Sequence, residues 1–176
     1  MTRVGSHFTF CSPQRILRRM VVERDEQNVI TQLFSLDDNV VESAQTLFFD
    51  GILSSEIISV KQNVEAEKIK ELVRDYNYFD LSVEPLSFVI EMNNKPLLID
   101  FGTNAMNEVN SRLAKLAQQN TEFPIFDLIA SCVYFPALLL GREGELAQNC
   151  RTNLILWENA DLVNKRLKIG THICEI

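Results

Sequence analysis

The sequence predicts an α+β fold, and three observations predict it. Short runs of alternating apolar and polar residues occupy positions 7–60 and return after Gly141. The apolar period lengthens to a helical one after Asn63 and again after Asn104, with Asn, Asp and Gly marking the changes. The chain of 176 residues is 46% hydrophobic, which suffices for a sizeable core in one domain or two small interlocked ones and argues against disorder.

Taken in order, residues 7–11 alternate as a short strand. Residues 17–24 and 29–36 read as a hairpin about Asp25-Glu26-Gln27-Asn28, where Asn28 tolerates positive φ. Residues 46–49 meet an Asp50-Gly51 turn signal, and 52–60 continues extended with a polar interruption at Ser54-Ser55-Glu56. Strands at this spacing suit a small sandwich or barrel. After Asn63, which can cap, Ala66, Ile69, Leu72, Val73 and Tyr76 share one helical face, and Glu65 and Glu67 suit the positive end of the dipole. Residues 88–92 and 95–101 flank Asn93-Asn94 as a hairpin, with Pro96 at the start of its second strand.

A helix follows Asn104 with Met106, Val109, Leu113, Leu116 and Ala117 on its buried face. Another occupies much of 124–140. Pro124 fits its first turn, whereas Pro136 should kink or end it unless the lost hydrogen bond is replaced. Strand patterning returns at 153–157, 166–169 and 172–174. No internal repeat or low-complexity linker interrupts the chain.

A net charge of -7 repels a phosphate backbone, so no nucleic-acid partner is expected. The basic groups Arg15, Arg18, Arg19 and Lys165, Arg166, Lys168 fall on expected strands and read as solvated faces. Cys11, Cys132, Cys150 and Cys174 lack C-x-x-C spacing, and Cys132 sits in an apolar segment, which suits reduced thiols and a cytoplasmic location. Residues 1–12 carry no apolar stretch long enough for a signal peptide. The most membrane-like run, 123–140, contains Asp127 and two prolines and reads as a buried helix, so no membrane partner is expected.

Three segments, Asp50 to Asn63, Leu98 to Asn104 and Gly144 to Trp157, together resemble the metal-dependent amidohydrolase superfamily. Asp50-Gly51-Ile52-Leu53-Ser54-Ser55-Glu56 through Val60-Lys61-Gln62-Asn63 is similar to the segment that leads that family into its first barrel strand. Ser55 and Glu56 stand where the family has Pro-Gly, and Lys61 and Asn63 stand where it has its two metal-binding histidines. Leu98-Ile99-Asp100-Phe101-Gly102-Thr103-Asn104 resembles the last barrel strand, with Asn104 replacing the metal-binding aspartate. Gly144-Glu145-Leu146 through Asn153-Leu154-Ile155-Leu156-Trp157 resembles the closing segment, with Asn149 and Cys150 in place of its Gly-Lys.

A complete eightfold barrel needs about 250 residues, yet only positions 64–101 separate the two strand equivalents. The resemblance therefore implies a composite β-sandwich from residues 1–56 and 141–176, with 57–140 a truncated α/β barrel remnant. The implied metal site carries Lys61, Asn63 and Asn104, and a lysine ammonium stands where a cation would sit. The chain has two histidines, His7 and His172, both in the sandwich portion. No catalytic residue, metal or cofactor is expected.

Other residues offer less. Glu56, Asp100 and Glu108 lie near the strand equivalents, with Glu56 and Asp100 the candidate ligand contacts. Ser54-Ser55 lacks a neighbouring histidine or a nucleophile elbow, and Asn104 also suits a helix N-cap. Three functions follow as expectations. The first is a catalytically silent protein acting by binding or by self-association as a dimer, possible protein partners included, because a shortened barrel leaves edges to cover. The second is a residual or repurposed hydrolase acting on C–N bonds. The third is a small-molecule binding module at the vacated barrel mouth.

Overall fold

The computed structural model describes residues 1–37, 45–64, 71, 104–119 and 122–176, with the short strand pieces 79–80, 87–88 and 97–99. In chain order the strands are β1 (Thr2–Ser12), β2 (Arg15–Arg24), β3 (Ile30–Ser35), β4 (Thr46–Ser54), β5 (Val60–Val64), β6 (Phe79–Asp80), β7 (Ser87–Phe88) and β8 (Leu97–Ile99). The helices α1 (Ala105–Gln119), α2 (Ile125–Cys132) and α3 (Tyr134–Leu139) follow, then β9 (Ile155–Glu158) and β10 (His172–Glu175). The architecture is α+β, as expected. Six strands form one sheet in the order β10-β9-β4-β1-β2-β3, so β1 to β4 from the start of the chain share it with β9 and β10 from the end.

The expected hairpin is present as β2 and β3. Asp25 holds its turn by accepting hydrogen bonds from the Gln27 and Val29 amides at 2.8 and 3.0 Å, and Asn28 takes φ 60°. Pro13-Gln14 supplies a turn the alternation did not announce, joining β1 to β2. There the register shifts between Phe10 and Ser12, leaving Cys11 as a bulge residue whose carbonyl accepts the Leu146 amide at 3.0 Å.

Three expectations are corrected. Asp50-Gly51 is a bulge inside β4, not a turn: Ser6 pairs with Phe49 and Phe8 with Ile52, so β4 carries one extra residue against parallel β1. Glycine is required there because a Cβ on Gly51 would lie 2.5 Å from the Trp157 carbonyl oxygen of neighbouring β9. The extended segment after Gly51 stops at Ser54 and resumes at Val60. Residues 166–169 form no strand. Asp161 instead ties the loop by accepting the Val163 and Asn164 amides, and its backbone exchanges two hydrogen bonds with Arg166.

The helix expected over 124–140 is two helices that meet at Val133, which has φ −120° and ψ −62°. Pro136 therefore falls in the first turn of α3, where its missing N–H is tolerated. The Cys132 carbonyl, which an N–H at position 136 would reach in a continuous helix, accepts the Ile58 amide at 3.1 Å. The lost bond is replaced from the strap leaving β4.

Side chains alternate across the sheet into two cores. Phe10, Ile52, Ile155, Trp157 and Ile173 face α1, α2 and α3, meeting Leu113, Leu128, Ile129 and Phe135. The expected buried face of α1 is found at Val109, Leu113, Leu116 and Ala117, with Met106 packed against the same core. On the other side Val4, Cys11, Val22, Ile30, Leu53 and Leu156 are covered by Leu146 and Leu154.

Each terminal strand of the sheet is met at one residue by another part of the chain. Asn110 of α1 uses its side-chain amide as a one-residue strand against β10, donating to the Ile173 carbonyl and accepting the Ile173 amide at 3.0 and 2.7 Å. Ile30 of β3 exchanges hydrogen bonds with Cys150 and Asn149.

Between the two cores' contributors, β5 pairs with β8, and β6 with β7. Of the helix expected over 66–76 only Glu71 is described, and it is helical; the rest lies outside the described residues, as does Asn93-Asn94. The flanking pieces β7 and β8 have partners other than each other.

Candidate functional site

The positions implied by the family resemblance diverge in the structure. Lys61 and Asn63 lie on β5, described there by its backbone, and Asp100 lies outside the described residues. Val60 pairs with Ile99 and Val64 with Leu97, so β5 and β8 run antiparallel. Neighbouring strands of a βα barrel run parallel, which gathers their C-terminal ends at one mouth. Here the chain leaves β8 opposite the start of β5, and Asn63 sits toward the other end. An antiparallel ladder suits two short strands in a sheet of their own, since it is the more stable pairing per residue.

Asn104 does what the cap reading of its residue type expects. Its exposed side chain accepts the Asn107 amide at 3.4 Å and its carbonyl accepts the Glu108 amide, so it stands at the N-terminus of α1. Glu108 pairs one turn on with Arg112 at 2.8 Å. Ser54 is buried as an acceptor, with its hydroxyl taking the Trp157 indole N–H at 3.0 Å and donating to the Ser55 carbonyl.

Both histidines are held in the six-stranded sheet by carboxylates. His7 faces Asp50 at 3.2 Å beside the ring of Phe48, and His172 faces Glu158 at 2.9 Å. Cys174 donates to the same Glu158 oxygen at 3.7 Å. Among the described residues no group of three or more His, Cys, Asp and Glu side chains could hold a metal ion. Lys61, Asn63 and Asn104, the residues that the resemblance would set at metal positions, do not fit a cation, since one is a lysine and two are asparagines.

Glu56 does line a cleft. Its volume is about 410 Å³, and its walls are the 55–58 strap, Ala137 of α3, and the loop residues 142–145 and 149–152. The Glu56 amide donates to the Thr152 hydroxyl at 3.1 Å, and that hydroxyl donates to the Asn153 carbonyl, which fixes the strap against the far wall. Gly144 is pressed on α3: a Cβ there would lie 2.8 Å from the Tyr134 carbonyl.

Arg15 crosses from β2 to Glu145 at 2.9 Å, and this hydrogen bond holds the guanidinium above its ordinary value. Burial pushes the Cys150 thiol up and that of Cys11 behind it to about 11, with Arg15 pulling the Cys11 value partly back. Both cysteines are free thiols, and the raised values keep them protonated and weakly nucleophilic at neutral pH.

Of the cleft residues, sequence reasoning singled out Glu56 and missed Arg142, Glu143, Arg151 and Thr152. The available signal was the charged run Arg142-Glu143-Gly144-Glu145 placed directly after an apolar helix. Among the described residues no helix is long and apolar enough to cross a membrane. The chain matches no known family model, and no characterised protein matches it.

Proposed function

We propose that the chain is a catalytically silent, amidohydrolase-like protein that acts by binding and self-association. In this reading residues 1–56 and 141–176 are the composite β-domain and 57–140 the barrel remnant. The observation that carries the reading is the antiparallel register of β5 and β8, which sets Asn63 toward the end of that ladder away from the point where the chain leaves β8, whereas the hydrolytic site of a barrel gathers its strand ends around one metal. The assembly of one sheet from both ends of the chain supports the composite domain.

Self-association has its own support. β9 pairs with β4 only from Gly51 onward, and among the described residues no strand pairs with the outer edge of 46–49. Leu47 and Phe48 on that stretch are 59% and 45% exposed. An open edge flanked by apolar side chains favours strand addition by a second copy.

Two measurements test this function. Protein produced with zinc and manganese supplied, and washed without chelator, should hold metal far below one equivalent; near-stoichiometric metal would overturn the silent reading. Light scattering at micromolar concentration should give a dimer that Phe48→Glu dissociates, and a monomer for the parent chain would remove self-association.

A further inference from the structure

We propose that the cleft at Glu56 is a binding site for a small zwitterion, a compact molecule carrying one carboxylate and one ammonium group, such as a free α-amino acid. The proposal rests on the reading of the chain as a binding protein and adds the class of its ligand.

Some polar and charged groups of the cleft are already engaged. Glu145 is paired with Arg15, and Arg151 donates to the Gln27 carbonyl and side-chain oxygen at 3.1 and 3.4 Å, which engages its donors while leaving its positive charge. Thr152 is committed to the Glu56 amide and the Asn153 carbonyl. Three further charged side chains line the same space: Glu56, Arg142 and Glu143. They make no hydrogen bond or ion pair among the described residues, although two of them are chain neighbours of opposite sign.

These groups dictate what the space can recognise. A guanidinium offers a planar fork of donors suited to a carboxylate. A carboxylate selects an ammonium donor. A simple anion would meet Arg142 but be repelled by Glu56 and Glu143, and a simple amine would meet the reverse. Only a molecule carrying both signs gains from both walls, which is how mixed lining produces selectivity.

The volume of about 410 Å³ agrees with a small ligand, lying near the low end of the roughly 300–1,000 Å³ typical of ligand pockets. The walls are pre-formed, because the Glu56–Thr152 hydrogen bond, the Arg15–Glu145 pair and the close seat of Gly144 on Tyr134 fix the strap and both loops. Binding then needs little ordering of backbone.

The test is isothermal titration of the full chain, on protein of known metal content, with each common amino acid. Propionate and propylamine serve as half-ligands. At least one amino acid should bind saturably, and each half-ligand at least about tenfold more weakly. Arg142→Gln and Glu56→Gln should each weaken binding by about tenfold or more, with melting temperature unchanged because neither side chain has a hydrogen-bond or ion-pair partner to lose among the described residues. Absence of saturable binding up to about 10 mM, equal binding of a half-ligand, or unaltered affinity in both variants would each overturn the proposal while the silent reading stands. Near-stoichiometric metal would overturn that reading and this proposal with it.

Discussion

The two faces of the six-stranded sheet are covered by different means. One face meets three helices and forms the larger core, around Trp157, Phe10, Leu113 and Phe135; the other is closed by the 144–154 segment through Leu146 and Leu154. Helices bring whole apolar stripes to a sheet, whereas a loop brings single residues held by backbone hydrogen bonds. The helix-covered face should therefore carry most of the stability, while the loops that run from α3 to the other face supply most of the cleft wall and its charged groups.

Adjacent residues of β9 test that division most strongly, because they point to opposite faces. Trp157→Ala removes a fully buried ring and leaves the Ser54 hydroxyl without its donor, for a loss of about 3–5 kcal/mol. Leu156→Ala empties part of the loop-covered core, where the covering segment can settle inward, and should cost about 2–3 kcal/mol. Chemical denaturation measures both. Equal losses would mean that the loop packs as rigidly as the helices.

Why was this arrangement only partly legible in the sequence? Alternation and helical period report local geometry, so parts of β1 and β4, the β2–β3 hairpin, the face of α1, and most of β9 and β10 could be read from Phe10, Val22, Leu113, Leu156 and their neighbours. Asp50-Gly51 reads the same as a turn or as a bulge, since the deciding contact is the Trp157 backbone more than a hundred positions away. Pro136 announced a break but not its position, which depends on Ile58 supplying the replacement hydrogen bond. Glu56 drew attention through its place in the resemblance. Its cleft partners did not: Thr152 is a single hydroxyl residue in a loop and carries no spacing signal, and the charged run that begins at Arg142 reads equally as a solvated turn after a helix.

Alkaline titration sharpens the comparison from the loop-covered side. Burial raises the Cys11 thiol from 9.0 to about 11, so the folded state favours the neutral thiol more than the unfolded chain does. The associated stability is complete below pH 9 and is lost as pH rises toward the folded value of about 11. Cys11→Ala should flatten that alkaline limb in denaturation midpoints measured from pH 8 upward. An unchanged limb would place its origin elsewhere.

Asn110→Ala asks how far α1 serves the sheet edge as distinct from the core. The substitution removes both hydrogen bonds to Ile173 while leaving the apolar stripe of Val109 and Leu113 in place. A loss of about 1–2 kcal/mol is expected. Faster hydrogen exchange should be confined to β10, because the exposed edge opens before the core does. Acceleration spread through α1 as well would show that Asn110 holds the helix, and that edge and core are one cooperative unit.

The smallest effect is expected in the loop that borders the helix-covered face. Asp161 is held below the ordinary carboxylate value of 3.8, first by the Asn164 amide, then by the Asn164 side chain, with the Val163 amide and Lys168 adding to the same direction. A depressed carboxylate stabilises the fold above its unfolded value, and that contribution disappears as pH falls through the folded value. The Val163 and Asn164 amides should therefore lose protection from exchange only in acid, below the ordinary carboxylate range. Asp161→Asn keeps an oxygen that can accept from the same amides but removes the titration, so its loop should show no acid-dependent loosening. If the loop in that variant still loosens in acid, the carboxylate is not the source, and the other candidate is the adjoining Arg166–Glu122 pair.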